Sequence, residues 1–157
     1  MRVKLQYGIY SFFLILVTSL ITKYLVNQGL IPFYDILEKP QVTPENNYFR
    51  YIWNMLYVLM FLGFYTALLT PQRYEQFYDL NTLFILQLFL QIVWTFSFFY
   101  IQQITVAAII IILLDIVAAL LMHTLFFINR WSFFLLLPFF LWILFATYLN
   151  IFIVFLN

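Results

Sequence analysis

The chain has 157 residues, 66% of them hydrophobic and only 8% charged, a balance that excludes a soluble globular domain. A net charge of +1 gives no argument for nucleic acid or for an acidic partner, and the absence of cysteine excludes disulfides, thiolate metal sites and cysteine nucleophiles. Aromatic residues make up 24%, with 21 Phe and 12 Tyr, more than two interfacial belts require, so some rings must face other helices or a ligand.

In chain order, Arg2 and Lys4 precede an apolar run from Leu5 to Thr22, which Lys23 closes. This start is like that of a signal peptide, but the run is long for one and no small-residue cleavage site follows. A retained first transmembrane helix is therefore predicted over residues 5–25, with Lys23 snorkelling to the interface. Residues 26–49, VNQGLIPFYDILEKPQVTPENNYF, form the one long polar-leaning segment, broken by Gly29, Pro32, Pro40 and Pro44. Its length and its aromatics predict a lid over one end of a bundle, with a short helical turn after Pro32.

A second helix is predicted over residues 51–70, with Trp53, Tyr57, Met60, Phe61 and Phe64 along one side and Pro71 as its stop. The connection from Pro71 to Asp79 is charged and reads as a solvated loop. Leu80 to Leu114 carries no charge and is too long for one ordinary span. Splitting it at Gln102-Gln103 gives a third helix over residues 80–100 and a fourth over 105–128; a fifth follows Asn129-Arg130 over residues 131–156. The expected fold is thus an all-α integral membrane protein, one domain over residues 1–157 built as a five-helix bundle with a lid. Arg2, Lys4, Arg73 and Arg130 fall on one side of the membrane and Lys23, Lys39 and Arg50 on the other, too even a split to set orientation.

Inside the fifth helix, Trp142, Ala146 and Asn150 stand at four-residue steps and share one face. They form either a pocket wall or an ordinary packing face, and the spacing by itself favours packing. Gln87, Gln91, Trp94 and Thr95 make a second polar-aromatic face, on the third helix; intramembrane amides pair between helices or orient ligands in apolar pockets. Asp115 is the one carboxylate inside a span, on a ladder with Ala107, Ile111, Ala119 and His123. Asp115 and His123 lie roughly 12 Å apart along the helix, so a proton relay needs a further group. The simpler expectation is a structural hydrogen bond from Asp115 to a neighbouring helix, with His123 close to the interface. No nucleophile–base–acid set, HExxH motif or phosphate loop is present.

Four stretches together carry a family resemblance: YDILEKPQVTP, IWNMLYVLM, QLFLQIVWTFSFF and LLLPFFLWILFATYLN. In order and spacing, over about Phe33 to Asn157, they resemble the TspO/MBR family of tryptophan-rich sensory and translocator proteins, also known as peripheral benzodiazepine receptors. The resemblance implies a five-helix bundle whose first long loop folds over an aromatic-lined pocket. It implies binding of porphyrins and haem-pathway tetrapyrroles and of benzodiazepine- or isoquinoline-type ligands, with a role in stress sensing or transport. The site carried over is Tyr34, Pro44, Trp53, Tyr57, Gln87, Gln91, Trp94, Phe98, Trp142, Ala146 and Asn150. No catalytic residue, metal or required cofactor is implied, porphyrin or haem entering as ligand. The expected partners are a tetrapyrrole or other apolar small molecule and the lipid bilayer, with no nucleic acid and with a homodimer left open. A multi-pass protein of a bacterial cell membrane is expected.

The chain departs from the family pattern in places. Phe33-Tyr34 stands where the family has Trp-Tyr, and the loop pattern Lys-Pro-x-Trp-x-Pro-Pro becomes Lys39-Pro40-Gln41-Val42-Thr43-Pro44-Glu45. Gln91 replaces a usual Asn, and the usual fourth-helix Asp aligns on Ile110 rather than on Asp115. Some bacterial members break down protoporphyrin in light with pocket Trp residues; Phe33 in place of one such Trp weakens that expectation more than it weakens binding. No Lys or Arg follows Tyr148, so the cholesterol pattern is absent. Three functions stay open: a tetrapyrrole receptor or carrier, a porphyrin-degrading enzyme, and a structural scaffold. They are separated by whether Trp53, Trp94 and Trp142 converge on a cavity or point to lipid.

Overall fold

The computed structural model describes residues 2–29 and 33–157, without the side chains of Arg2, Val3 and Asn46. Pro32, the expected helix breaker, lies outside the described residues. Five helices are long and apolar enough to cross a membrane: α1 (Arg2–Gly29), α2 (Asn46–Leu69), α3 (Tyr74–Thr95, extended by a π-helical turn at Phe96–Tyr100), α4 (Ile104–Ile128) and α5 (Arg130–Leu156). α4 and α5 match their predicted spans to within a residue, whereas α1, α2 and α3 are longer than predicted. Hydropathy marks only the part of a helix that lipid surrounds, and backbone bonding carries the helix on into water past residues such as Glu75 and Asp79.

The breaks have local causes. Gln102 adopts a left-handed backbone, φ 61°, which turns the chain between α3 and α4 without Gly or Pro. Around it the Gln103 N–H donates to the Ser97 carbonyl at 2.9 Å and the Ile101 N–H to that of Phe96 at 3.0 Å. Asn129 caps α5 by accepting from the Trp131 N–H at 2.9 Å and the Ser132 N–H at 3.4 Å, satisfying donors a helix start leaves orphaned. Its amide also donates to Thr70 Oγ1 at 2.8 Å, tying the α4–α5 junction to the end of α2. Pro138 lies inside α5, which continues on both sides of it.

The helices close a ring in the order α1, α2, α5, α4, α3. Lipid is as apolar as Leu, so tight packing and hydrogen bonds between helices, rather than hydrophobic burial, hold such a ring together. The most extensive contacts are those of α4 with α5 and with α3, and α2 and α3 meet across the ring through aromatic side chains. Phe64 and Phe84 stack there at 3.7 Å with planes 4° apart, beside fully buried Met60, Ala67 and Leu80. Gly63 lets α2 lie close to α5: a Cβ there would lie 2.0 Å from Leu136 Cδ1, which would have to turn aside, and 3.3 Å from the Ser132 carbonyl oxygen. Thr66 and Ser132 add a 2.9 Å hydrogen bond between α2 and α5. The hydrogen bond expected of Asp115 is also present, to Thr147 Oγ1 of α5 at 2.7 Å. His123 is exposed and packs against Phe127 with ring centroids 5.0 Å apart, so it completes no relay with Asp115.

Candidate functional site

The described part of the first loop folds onto one end of the bundle as a lid. A short turn at Tyr34–Ile36 buries Tyr34 against Phe98 and Phe99, with centroids 6.1 and 5.8 Å away. Burial, and after it the charge of Asp35, pushes the Tyr34 hydroxyl from its ordinary 10.0 up to about 12. Lys39 donates to the Tyr34 carbonyl and lies 4.5 Å over its ring, a cation–π contact. The lid is also latched to the far end of the chain. The Glu38 N–H donates to Asn157 Oδ1 at 3.1 Å and Asn157 Nδ2 donates to the Glu38 carbonyl at 3.0 Å.

Beneath this end, a cavity of about 370 Å³ lies between α1, α2 and α3, within the size range of small-molecule sites. Its floor is buried: Thr22, Tyr57, Gln91, Trp94, Thr95 and Phe99. The exposed residues Leu20, Lys23, Asn27, Arg50 and Asn54 form its mouth. Trp53 leans into the cavity between them, with its ring 5.9 Å from Tyr57 and 6.3 Å from Trp94.

A hydrogen-bond chain crosses the floor. Thr22 donates its single hydroxyl proton to the Thr18 carbonyl at 2.9 Å. The Thr22 and Tyr57 hydroxyls share a hydrogen bond at 2.6 Å, and the Tyr57 oxygen accepts from Gln91 Nε2 at 2.8 Å. Gln91 Oε1 is buried with no partner among the described residues. A buried acceptor without a donor costs about 1–3 kcal/mol, so a ligand N–H or O–H that reaches it recovers that cost.

A second, much smaller cavity of about 20 Å³ lies behind the first and is lined by Tyr34, Phe98, Ala146, Leu149, Asn150 and Ile153. Phe49, Trp94 and Phe99 line both cavities and so form the partition between them. Trp94 is held there by its indole N–H, which donates to Asn150 Oδ1 at 3.1 Å, while Asn150 Nδ2 donates to the Ile104 carbonyl at 3.1 Å.

The residues expected at the site therefore divide. Trp53, Tyr57, Gln91 and Trp94 line the main cavity; Tyr34, Phe98, Ala146 and Asn150 join Trp94 around the small one. Gln87 is buried on α3, one turn of helix before Gln91, with both amide atoms unpartnered among the described residues, and lines neither. Pro44 and Trp142 also line neither; the Trp142 ring is spent on Phe49 and Phe145, 5.9 and 5.6 Å away. Trp142 thus does not share a cavity wall with Ala146 and Asn150, although the three share a helix face. Sequence reasoning missed the contribution of α1, namely Ser19, Thr22, Lys23, Val26 and Asn27. These stand at steps of three and four, so a polar stripe on an apolar helix was there to be read.

A profile of the TspO/MBR family matches residues 11–156. The chain belongs to that family. Among its relatives, the tryptophan-rich protein TspO of Chlorobaculum tepidum is 31% identical over 125 residues, covering 80% of this chain and 79% of the relative. The tryptophan-rich protein TspO of Archaeoglobus fulgidus is 32% identical over 130 residues, covering 83% of each. As a TspO/MBR protein with five membrane-length helices, the chain is a multi-pass membrane protein of the sensory and transport class. The family match reaches back into α1, whose inner face completes the cavity.

Proposed function

We propose that this TspO/MBR chain is a membrane receptor or carrier for tetrapyrroles of the haem pathway, such as protoporphyrin IX, and also accepts benzodiazepine- and isoquinoline-type ligands. The observation that carries the reading is the main cavity itself: a buried aromatic floor of Tyr57 and Trp94 under Trp53, with Gln91 among its lining residues. Flat ligands gain from stacking on such rings, on the order of 0.5–1.5 kcal/mol beyond buried area. Displacement of the partition formed by Phe49 and Trp94 joins the two cavities and brings Tyr34, Ala146 and Asn150 to the same ligand. Convergence of Trp53 and Trp94 on one cavity supports a binding role over a scaffold whose rings only hold helices together.

Degradation of the ligand is not part of the proposal. Phe33, standing where the family pattern has Trp, packs on Phe98 with centroids 6.2 Å apart, and phenylalanine is far harder to oxidise. The test is titration of the chain in lipid nanodiscs with protoporphyrin IX, following tryptophan quenching and pigment absorbance together. Saturable quenching with stable pigment in the light is expected. Quenching no greater than in empty nanodiscs contradicts binding, and bleaching well above a free-tryptophan control contradicts the binding-only reading.

A further inference from the structure

The charges around the cavity say what kind of ligand fits it. Among its lining residues two are cationic, Lys23 on α1 and Arg50 on α2, and none is acidic. Both belong to the exposed rim, and among the described residues no hydrogen bond or ion pair ties either one down. Asn27 and Asn54 add amide donors to the same rim. The deep end is the opposite: buried, aromatic and without charge, with the acceptor Gln91 Oε1 beneath its surface and unpartnered among the described residues. Cations at the mouth and an acceptor at the floor are complementary to a molecule with anions at one edge and an N–H or O–H donor on its apolar body. They disfavour a cationic ligand.

We infer that Lys23 and Arg50 are specificity-determining residues that select amphipathic carboxylates, holding the acid groups at the cavity mouth while the apolar body stacks on Trp53 and Trp94. The inference rests on the proposed binding role of this cavity and adds the ligand's charge and orientation to it. It also gives α1 a recognition role, since Lys23 lies on that helix. Lysine serves as a point charge, whereas the fork of arginine pairs with both carboxylate oxygens, so Arg50 is expected to contribute more than Lys23.

The test uses two acid–ester pairs in phosphatidylcholine nanodiscs, which carry no anionic headgroups to compete, with empty nanodiscs subtracted. One pair is protoporphyrin IX and its dimethyl ester; the other is pyrenebutyric acid and its methyl ester, which probes charge without a tetrapyrrole. The parent is expected to bind each acid about tenfold more tightly than its ester, a ratio within reach of two partly screened ion pairs. In Lys23→Gln/Arg50→Gln that preference should shrink to within about twofold, with thermal unfolding confirming that the variant is folded. Lys23→Glu/Arg50→Glu should reverse the preference toward the esters. Equal affinity of acid and ester in the parent, or a preference that survives in the double variant, overturns the inference while leaving tetrapyrrole binding intact. If the pyrene pair discriminates and neither porphyrin binds, the charge selection stands and the tetrapyrrole reading falls. If no probe binds, both fall.

Discussion

The two ends of this bundle use the same kinds of residue to opposite effect. Toward one end Phe64 and Phe84 stack face to face at 3.7 Å and the surrounding side chains leave no space. Toward the other, Trp53 sits 5.9 Å from Tyr57 and 6.3 Å from Trp94, and the three line a cavity. Aromatic content therefore does not separate core from site. What separates them is the polar handle. The packed end is closed by aliphatic residues and by Phe, which has no polar atom to satisfy. The open end sets Tyr57 and Trp94 among Phe49 and Phe99, and their hydroxyl and indole groups bond to Thr22, Gln91 and Asn150 and so hold the two rings in place at the cavity wall.

Substitutions at the two ends should break this contrast in different ways. The largest effect on stability is expected from Phe64→Ala, which removes a fully buried stacked ring at a cost of about 3–5 kcal/mol. It should appear as a lower unfolding temperature in detergent, with ligand affinity close to that of the parent. Next comes Gly29→Ala, at the join between α1 and the π turn. A Cβ there would lie 2.0 Å from the Phe99 carbonyl oxygen, and because the obstacle is backbone, α1 must move. The expected destabilisation is about 1–3 kcal/mol, and binding should weaken with it because Phe99 is part of the cavity wall.

Gln91→Leu should invert the pattern. It removes the open acceptor and one donor to Tyr57, yet Tyr57 can still donate to Thr22. Ligand affinity is expected to fall about tenfold, or roughly 1.4 kcal/mol, while unfolding shifts little. Smaller again is Asn157→Ala, which removes both hydrogen bonds of the lid latch. Faster amide exchange over residues 33–45 without loss of the helical core is expected, corresponding to about 1 kcal/mol. Alkaline pH should loosen the same element. The raised value of Tyr34 means that the docked lid favours its neutral form, so docking is fully stabilised below pH 10 and weakens as pH rises toward 12. The smallest effect is expected from Asp115→Asn. Its partner Thr147 lies at the α4–α5 contact and not in either cavity, so affinity should stay within twofold and stability within about 0.6 kcal/mol.

The number of helices and the position of the lid were legible because charge-free length, prolines and amides report directly on what can lie in lipid. Even the α3–α4 turn was found, at Gln102, without the Gly or Pro that usually marks one. Helix ends were less legible, since α2 and α3 begin in polar segments that hydropathy assigns to loops. Within the site, Trp53, Tyr57, Gln91 and Trp94 were identified together, but Trp142 was grouped with Ala146 and Asn150 by helical spacing. Spacing gives a face and not a neighbour: whether Trp142 reaches a cavity or a ring depends on where Phe49 of another helix lies. The part played by α1 was hidden for a related reason. Its Ser19, Thr22 and Lys23 read as ordinary features of an apolar span until α2 and α3 close against them.

The central claim is that the cavity between α1, α2 and α3 is where ligand binds, and filling it tests this most directly. Ser19 is a half-buried residue of its wall on α1, and Ser19→Trp places an indole in that space with little demand on the packed end. The measurement is the dissociation constant of protoporphyrin IX for Ser19→Trp in nanodiscs, beside the parent and beside Ala146→Leu, which fills only the small cavity. The account predicts a loss of tenfold or more for Ser19→Trp, exceeding that for Ala146→Leu, with the unfolding temperature retained. Parent-like affinity in a folded Ser19→Trp, together with lost binding in Ala146→Leu, would contradict it and place the ligand behind Trp94.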